Sequence, residues 1–370
     1  MGFLIFFTVE FSLFFLSTLI RFRNKKEKNI FAIMMFIFMF FFSALRGTGD
    51  GDYYNYLVFS KNINEFKDIF NFNYPVEIGF RITAFIVHLF NGSNQRTIAT
   101  MNFLSIIPTT YVVVKKSYDP IMSAIIFLPF FLQFDMQTSR TATAMGMGIL
   151  AIYFNSEKKY LKSFFSFLVS VSFHSAAVVV LPFLFLMHIN ISRIFKGISS
   201  IFAFFLSLKS SLIIDIAVKM FLLLGFDFFA NKLFRYTYGE QFAYPMKIYD
   251  PRIIMILALF ITTLMYFSKD DIKKLSFEDA SVKSIRVAFI IFMIFRFSTL
   301  VSFRLSSFFS IMEIFYIPFV IEKIKKIDEK GAFFIKLSIV LFILPYAIFL
   351  VSKYPAYKIF LYSNKAKLFL

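Results

Sequence analysis

The sequence predicts an all-α, polytopic integral membrane protein, on three observations. Of its 370 residues 59% are hydrophobic, 60 of them Phe, and only 17% are charged, against about 25% in an ordinary soluble domain. Apolar runs of about 15–20 residues recur along the whole chain, separated by short polar clusters. The alternating strands of about ten residues that mark an outer-membrane barrel are missing. A fold whose every backbone polar group is satisfied within its own segment is what lipid permits.

The net charge is +18. In a chain this rich in Phe, that charge reads as Lys and Arg holding cytoplasmic loops against anionic lipid, not as a nucleic-acid surface. There is no Cys, which removes disulfides, thiol nucleophiles and Cys metal sites. The first run, 1-MGFLIFFTVEFSLFFLSTLI-20, lacks a basic lead and a small-residue cleavage site. It reads as a retained span.

The firmest topological anchor is 21-RFRNKKEKN-29, with five basic residues in nine. Placed in the cytoplasm, it puts the N-terminus outside and sends 30–45 outward. Residues 76–90 are ambiguous. As a span they would expose 115-KKSYD-119 and 155-NSEKKYLK-162 on the outer side. As an amphipathic helix lying on the outer interface they leave both inside, with Glu77 and Arg81 as an i,i+4 pair. The interfacial reading makes 46–96 a first outer loop. Spans then follow at 97–114, 120–134, 141–154, 161–173, 175–190 and 198–214. A second outer loop, 215–251, carries an amphipathic stretch and 235-RYTYGEQFAYP-245. Spans at 252–267, 287–303, 305–321 and 331–351 complete about twelve in one membrane domain, 1–370, and leave the basic tail after Lys353 outside. No internal repeat of the transporter kind is evident.

Arginine does not follow lysine in this topology. Eight of the twelve arginines (Arg46, Arg81, Arg96, Arg140, Arg235, Arg252, Arg296 and Arg304) fall in or near the outer half. Topology needs positive charge inside, so these want another reason. The planar guanidinium fork fits phosphate oxygens bidentately, and an anionic, phosphorylated ligand at the outer face supplies that reason. The plainer reading is snorkelling to headgroups or pairing with Asp and Glu.

Four stretches carry candidate chemistry. In 46-RGTGDGDYYNYLVF-59, Arg46 and two aspartates, Asp50 and Asp52, sit among glycines that permit close backbone approach. Asp52 reads as the N-cap of a helix, four residues before Tyr56, and can take or orient a sugar hydroxyl's proton. Tyr53 and Tyr56 suit sugar rings. A capped glycine-rich turn is the plainer alternative. In 135-DMQTSRTATAMGMG-148, Arg140 begins a span, where a helix N-terminus favours anions, and the small residues behind it suit close helix packing. In 172-SFHSAA-177, His174 ends a short helical hairpin on the same side. A hydrogen-bonded structural histidine is the alternative. In 296-RFSTLVSFRLSSFFSIMEIFYIP-318, Arg296 and Arg304 share a face if the helix is continuous, and Glu313 lies inside the next span. Arg235, Tyr236 and Tyr238 offer further donors in the second outer loop. The three histidines are scattered and the carboxylates lack ligand spacing, so no structural metal is expected. No nucleotide-binding or hydrolase motif occurs, and no cofactor is expected.

Taken in order, 46-RGTGDGDYYNY-56, Glu77-Ile78-Gly79, Ser139-Arg140 with Ala142, Phe173-His174-Ser175 and Arg304-Leu305-Ser306 resemble the EpsG-type branch of bacterial polysaccharide polymerases. That branch is similar to the Wzy O-antigen and capsule polymerases. The loop departs from the family's pattern in carrying two Asp, of which Asp52 is the better match. The resemblance implies joining of oligosaccharide repeats carried on undecaprenyl diphosphate, as both donor and acceptor, at the outer face of the plasma membrane. Membrane lipid and a chain-length regulator protein are the further partners it implies, with no nucleic acid. It implies Asp52 (with Asp50 as its neighbour) and His174 in acid/base roles and Arg46, Arg140 and Arg304 at the diphosphate. The reading of the residues adds Arg296 and Arg235 at the diphosphate and assigns Tyr53, Tyr56, Glu77, Arg81, Tyr236 and Tyr238 to the sugar. The arrangement is also similar to lipid-dependent GT-C glycosyltransferases. A flippase for the same lipid-linked sugars, an O-antigen ligase and another lipid-dependent glycosyltransferase are the rival readings.

Overall fold

The computed structural model describes residues 2–19, 22, 24–47, 51–71, 73–189, 193–208, 210–239, 244–247, 249–266 and 276–352. Among them the regular structure is helical. The helices are α1 (Gly2–Leu19), α2 (Lys25–Ala44), α3 (Gly51–Lys61), α4 (Ile78–Leu89), α5 (Asn94–Lys116), α6 (Pro120–Phe130), α7 (Ser139–Ser156) and α8 (Tyr160–Phe173). They continue as α9 (Val180–Leu186), α10 (Arg193–Ser207), α11 (Ser210–Leu223), α12 (Asp227–Tyr238), α13 (Pro251–Tyr266), α14 (Phe277–Ile294), α15 (Thr299–Ser310), α16 (Glu313–Lys325) and α17 (Glu329–Ser352). Single 3₁₀ turns occupy Phe66–Phe70 and Ser175–Val179, and α6 runs on into a π-helical turn, Phe131–Asp135. The chain forms two compact units, residues 1–178 with 313–370, and residues 179–312.

The helix starts follow capping chemistry. Asn24 accepts the Glu27 N–H ahead of α2, Asp119 accepts that of Met122 with Pro120 as the first helical residue of α6, and Ser276 and Ser298 open α14 and α15 the same way. Three helices, α2, α5 and α17, are long and apolar enough to cross a membrane, and α15 with α16 together pass the same test. Shorter apolar stretches include 6–16, 120–135, 160–173 and 251–262. This is a helical membrane protein. At about 1.5 Å per residue, the 12 residues of α4 reach about 18 Å, short of a bilayer core of about 30 Å.

In the first unit small polar side chains bind neighbouring helices together. Thr143 Oγ1 donates to the Met101 carbonyl at 2.9 Å, joining α7 to α5. Ser163 and Ser170 of α8 donate to the Ala151 and Ala144 carbonyls of α7. Gly146 makes the approach feasible: a Cβ there would lie 2.5 Å from the Ser105 carbonyl oxygen of α5. The small-residue run after Arg140 is thus a packing face, as its composition suggested. Phe6 of α1 stacks on Phe42 and Phe131, and Lys336 of α17 pairs with Asp119 at 2.7 Å.

The second unit departs from the sequence reading in three places. The single span expected over 198–214 is two helices, α10 and α11, divided at the polar 207-SLKSS-211. The turn expected at Arg304 lies instead at 295–298, where Ser298 caps α15. Arg296 and Arg304 are therefore not on one continuous helix, and Arg304 is mid-helix. The charged run through Arg286, expected as a loop, is helical from Phe277. There Lys283 is buried, pairs with Asp279 at 2.8 Å and donates to the Met187 carbonyl at 2.6 Å.

Candidate functional site

The chain leaves α2 with Arg46, whose side chain turns inward and is fully buried. Its Nη1 donates to the Asp135 carbonyl at 3.0 Å and its Nη2 to Ser139 Oγ at 2.9 Å. A buried guanidinium is tolerable only with such partners. Arg46 thus fastens the end of α2 to the turn between the π-helical segment and α7. Gln95, at the start of α5, closes the corner: its Nε2 donates to the Ala44 and Arg46 carbonyls, and its Oε1 accepts from Tyr53 at 2.7 Å. Arg46, expected at the anion, and Tyr53, expected at the sugar, are both buried and take part in these bonds. They position the helices that carry the site.

Tyr56 is the centre of that site. It is buried on α3 and stacked against Phe80 with ring centroids 5.9 Å apart. The guanidinium carbons of Arg46 and Arg140 lie 5.9 and 5.8 Å from its ring centroid, within cation–π reach. Asp52, one helical turn before Tyr56, is half-buried and close enough to act on its phenol electrostatically. It falls inside the first turn of α3, which begins at Gly51, and not at the N-cap position expected. Burial pushes the Tyr56 hydroxyl's pKa up.

Glu77 brings α4 to this centre. Gly79, two residues on, lies so close to α8 that a Cβ would be 2.8 Å from the Ser172 carbonyl oxygen. Only that approach sets Glu77 beside the start of α7 and the end of α8. Glu77 Oε2 forms an ion pair with Arg140 Nη1, and Oε1 accepts the Ser175 N–H at 3.4 Å. Arg81, expected as its i,i+4 partner, is buried, donates to the Asn71 carbonyl and still feels the charge of Glu77. Burial pushes the Glu77 carboxyl upward, but the charge of Arg140, with the backbone N–H groups of Ser175 and of Glu77 itself, outweighs it, holding the group below the ordinary carboxylate range. His174 caps α8, and its Nδ1 accepts the Ala176 N–H at 3.1 Å. An accepting Nδ1 leaves the ring proton on Nε2.

Asp52, Tyr56, Glu77, Arg140 and His174 therefore converge from α3, α4, α7 and α8, with Arg46, Tyr53 and Arg81 supporting them. The remaining candidates belong to the second unit. Arg304 is half-buried in α15; Arg296 donates to the Ser207 and Met246 carbonyls; Arg235 is exposed on α12. Tyr238 donates to Asp215 at 2.6 Å, and Tyr236 is in α12. Asp50 lies outside the described residues. Sequence reasoning overlooked Gln95 and Asp135. The signal was there: both are polar residues at the edges of apolar helices, where lipid makes an unsatisfied group expensive.

The cluster joins a guanidinium, two carboxylates, an imidazole and a phenol. It can hold an anion, orient a hydroxyl and move a proton. No curated protein and no solved structure matches the chain. Residues 29–364 match the family model described as the EpsG family, and the chain belongs to that family.

Proposed function

We propose that this protein is a polysaccharide polymerase. It joins undecaprenyl-diphosphate-linked oligosaccharide repeats into O-antigen, capsule or exopolysaccharide at the outer face of the plasma membrane. The observation that carries the reading is the convergence of Asp52, Tyr56, Glu77, Arg140 and His174 in a chain of the EpsG family. The anomeric carbon of the donor sugar parts from its diphosphate oxygen and bonds to a hydroxyl oxygen of the acceptor repeat. Asp52 takes or orients the hydroxyl's proton. Arg140 faces the charge on the leaving diphosphate, and Arg304, in the second unit, is a further candidate for that role. His174 donates a hydrogen bond through Nε2. Diphosphate is a good leaving group, so the step as written calls for no metal.

The membrane arrangement proposed with it is about twelve spans in a GT-C-like order, with 46–96 and 215–251 outside. The shape of α4 supports its interfacial part. Phe80, Arg81 and Ala84 are buried on one side while Ile82, Ile86, Leu89 and the following Phe90 are exposed on the other. The exposed Phe66 and Phe70 pack edge-on to each other just before it.

The test is complementation of a polymerase-null strain. Asp52→Asn, Arg140→Ala and Arg304→Ala, each at normal membrane level, should leave single repeats in place of long chains. Loss of one charge-facing arginine corresponds to about 2–4 kcal/mol of barrier. Long chains from all three variants would refute the assignment. Loss of all surface sugar in the null strain would indicate a flippase, and single-repeat product in vitro on a lipid A acceptor would indicate a ligase.

A further inference from the structure

Arg140 and Glu77 hold each other, yet they are not equally fixed. Arg140 is anchored from behind by Tyr56, which is buried and stacked on Phe80. Glu77 has no ring behind it and is held, besides Arg140, by backbone N–H groups of Ser175 and of its own residue. It stands at the N-cap of α4, but its side chain makes no capping bond to that helix, so leaving Arg140 would not unmake the helix start. Its second contact, to the Ser175 N–H, is long at 3.4 Å. Side-chain exposure of 22% for Arg140 and 24% for Glu77 leaves the pair open to a ligand from outside.

Resting on the polymerase reading above, we infer that Glu77 is the resident counter-ion of the diphosphate site and becomes the proton acceptor of the transfer once a lipid-linked diphosphate displaces it from Arg140. A diphosphate diester carries two negative charges where the carboxylate carries one, and it offers the guanidinium fork two oxygens. The exchange is therefore favoured at a guanidinium that does not move. After it, Glu77 keeps its burial and loses its principal opposing charge, so its affinity for a proton rises. The acceptor hydroxyl, oriented by Asp52, gives its proton to Glu77 as its oxygen bonds to the donor's anomeric carbon. The bond from that carbon to the diphosphate oxygen breaks, and the polyprenyl diphosphate leaves with the electron pair. Glu77 then releases the proton to solvent and returns to Arg140 as the diphosphate departs. A proton acceptor is thus armed only when a donor is in place, which protects the lipid-linked donor from wasteful attack by water.

The experiment is calorimetric binding of inorganic pyrophosphate to the full chain in detergent, paired with chain-length analysis in the null strain. Glu77→Gln should bind pyrophosphate about five- to tenfold more tightly than wild type, as loss of a competing, partly exposed ion pair allows, and should make no long chains. Glu77→Asp, whose shorter arm loosens the pair, should also bind more tightly and retain part of the polymerisation; it serves if the glutamine variant fails to accumulate. Unchanged or weaker binding in both, with binding abolished in Arg140→Ala, would overturn the counter-ion role and leave the diphosphate site standing. Undiminished binding in Arg140→Ala would overturn the site itself. The double variant Glu77→Arg/Arg140→Glu should stay inactive; restored long chains would show a merely structural pair and overturn the inference.

Discussion

Residues 51–96 and residues 210–252 are built alike, short helices strung between apolar ones, but they are held differently. The first segment is tied down by side-chain bonds, buried and part-buried. Tyr53 reaches Gln95, Ser60 Oγ lies 2.8 Å from Thr97 Oγ1, His88 Nδ1 donates to the Ile63 carbonyl at 2.7 Å, and Tyr74 donates to the Phe59 carbonyl. The second is held by the exposed Tyr238–Asp215 bond, by the half-buried Arg252–Asp250 pair, only two residues apart in sequence, and by main-chain bonds that join Met246 to Arg296 and Tyr244 to Thr299. Groups meant to meet a transition state must be positioned before it arrives. The segment with buried ties is the one that presents Asp52, Tyr56 and Glu77.

The largest expected effect is on the deepest tie. Arg46→Met removes two buried charge-assisted hydrogen bonds, leaving the Asp135 carbonyl with Ser139 Oγ alone, and should cost about 3–5 kcal/mol, read as lost thermal stability and membrane level. An Arg46→Met protein as stable as wild type would erase the contrast between the segments. Gly79→Ala comes next. Its Cβ would meet the Ser172 carbonyl, so α4 must shift, at about 1–3 kcal/mol. Polymerisation should fall more steeply than stability, because Glu77 moves with the helix.

A smaller effect is pH-dependent. Glu77 is held below the ordinary glutamate value of 4.5. A depressed folded-state value means stability that is fully present above about pH 4.5 and fades as pH falls through the folded value. The wild type should therefore exceed Glu77→Gln by about 1 kcal/mol near neutrality. Unfolding curves from pH 7 to 3 should show the two converging below pH 4.5, and an unchanging gap would show that the carboxylate's charge adds nothing. The smallest effect belongs to the second segment: Tyr238→Phe removes an exposed bond and should change stability by less than about 0.5 kcal/mol.

The sequence was most readable where a residue's role is local. Asp52 one turn before Tyr56, Arg140 at the first turn of α7 and His174 at the end of α8 follow from spacing and helix-end chemistry alone. So do the apolar extents of α2, α5 and α17. What could not be read was pairing across the chain. Glu77 and Arg81 are perfectly spaced for an ion pair, yet Glu77 finds Arg140, 63 residues away, because Gly79 lets α4 press on α8. The bonds of Arg46 to Asp135 and Ser139, about 90 residues on, have no local signal either. Arg304, a charge in an apolar run, suggests a helix boundary there, whereas the boundary is set by the Ser298 cap.

The π-helical turn at Phe131–Asp135 has a bearing on how this family can vary in length. Each residue added to or removed from a helix rotates everything beyond it by about 100°. The two acceptors of Arg46, Asp135 O and Ser139 Oγ, lie on either side of the turn's end, and Arg140 follows directly. A single insertion or deletion between 131 and 139 would swing them apart. Natural relatives should therefore keep a constant count from Phe131 to Arg140.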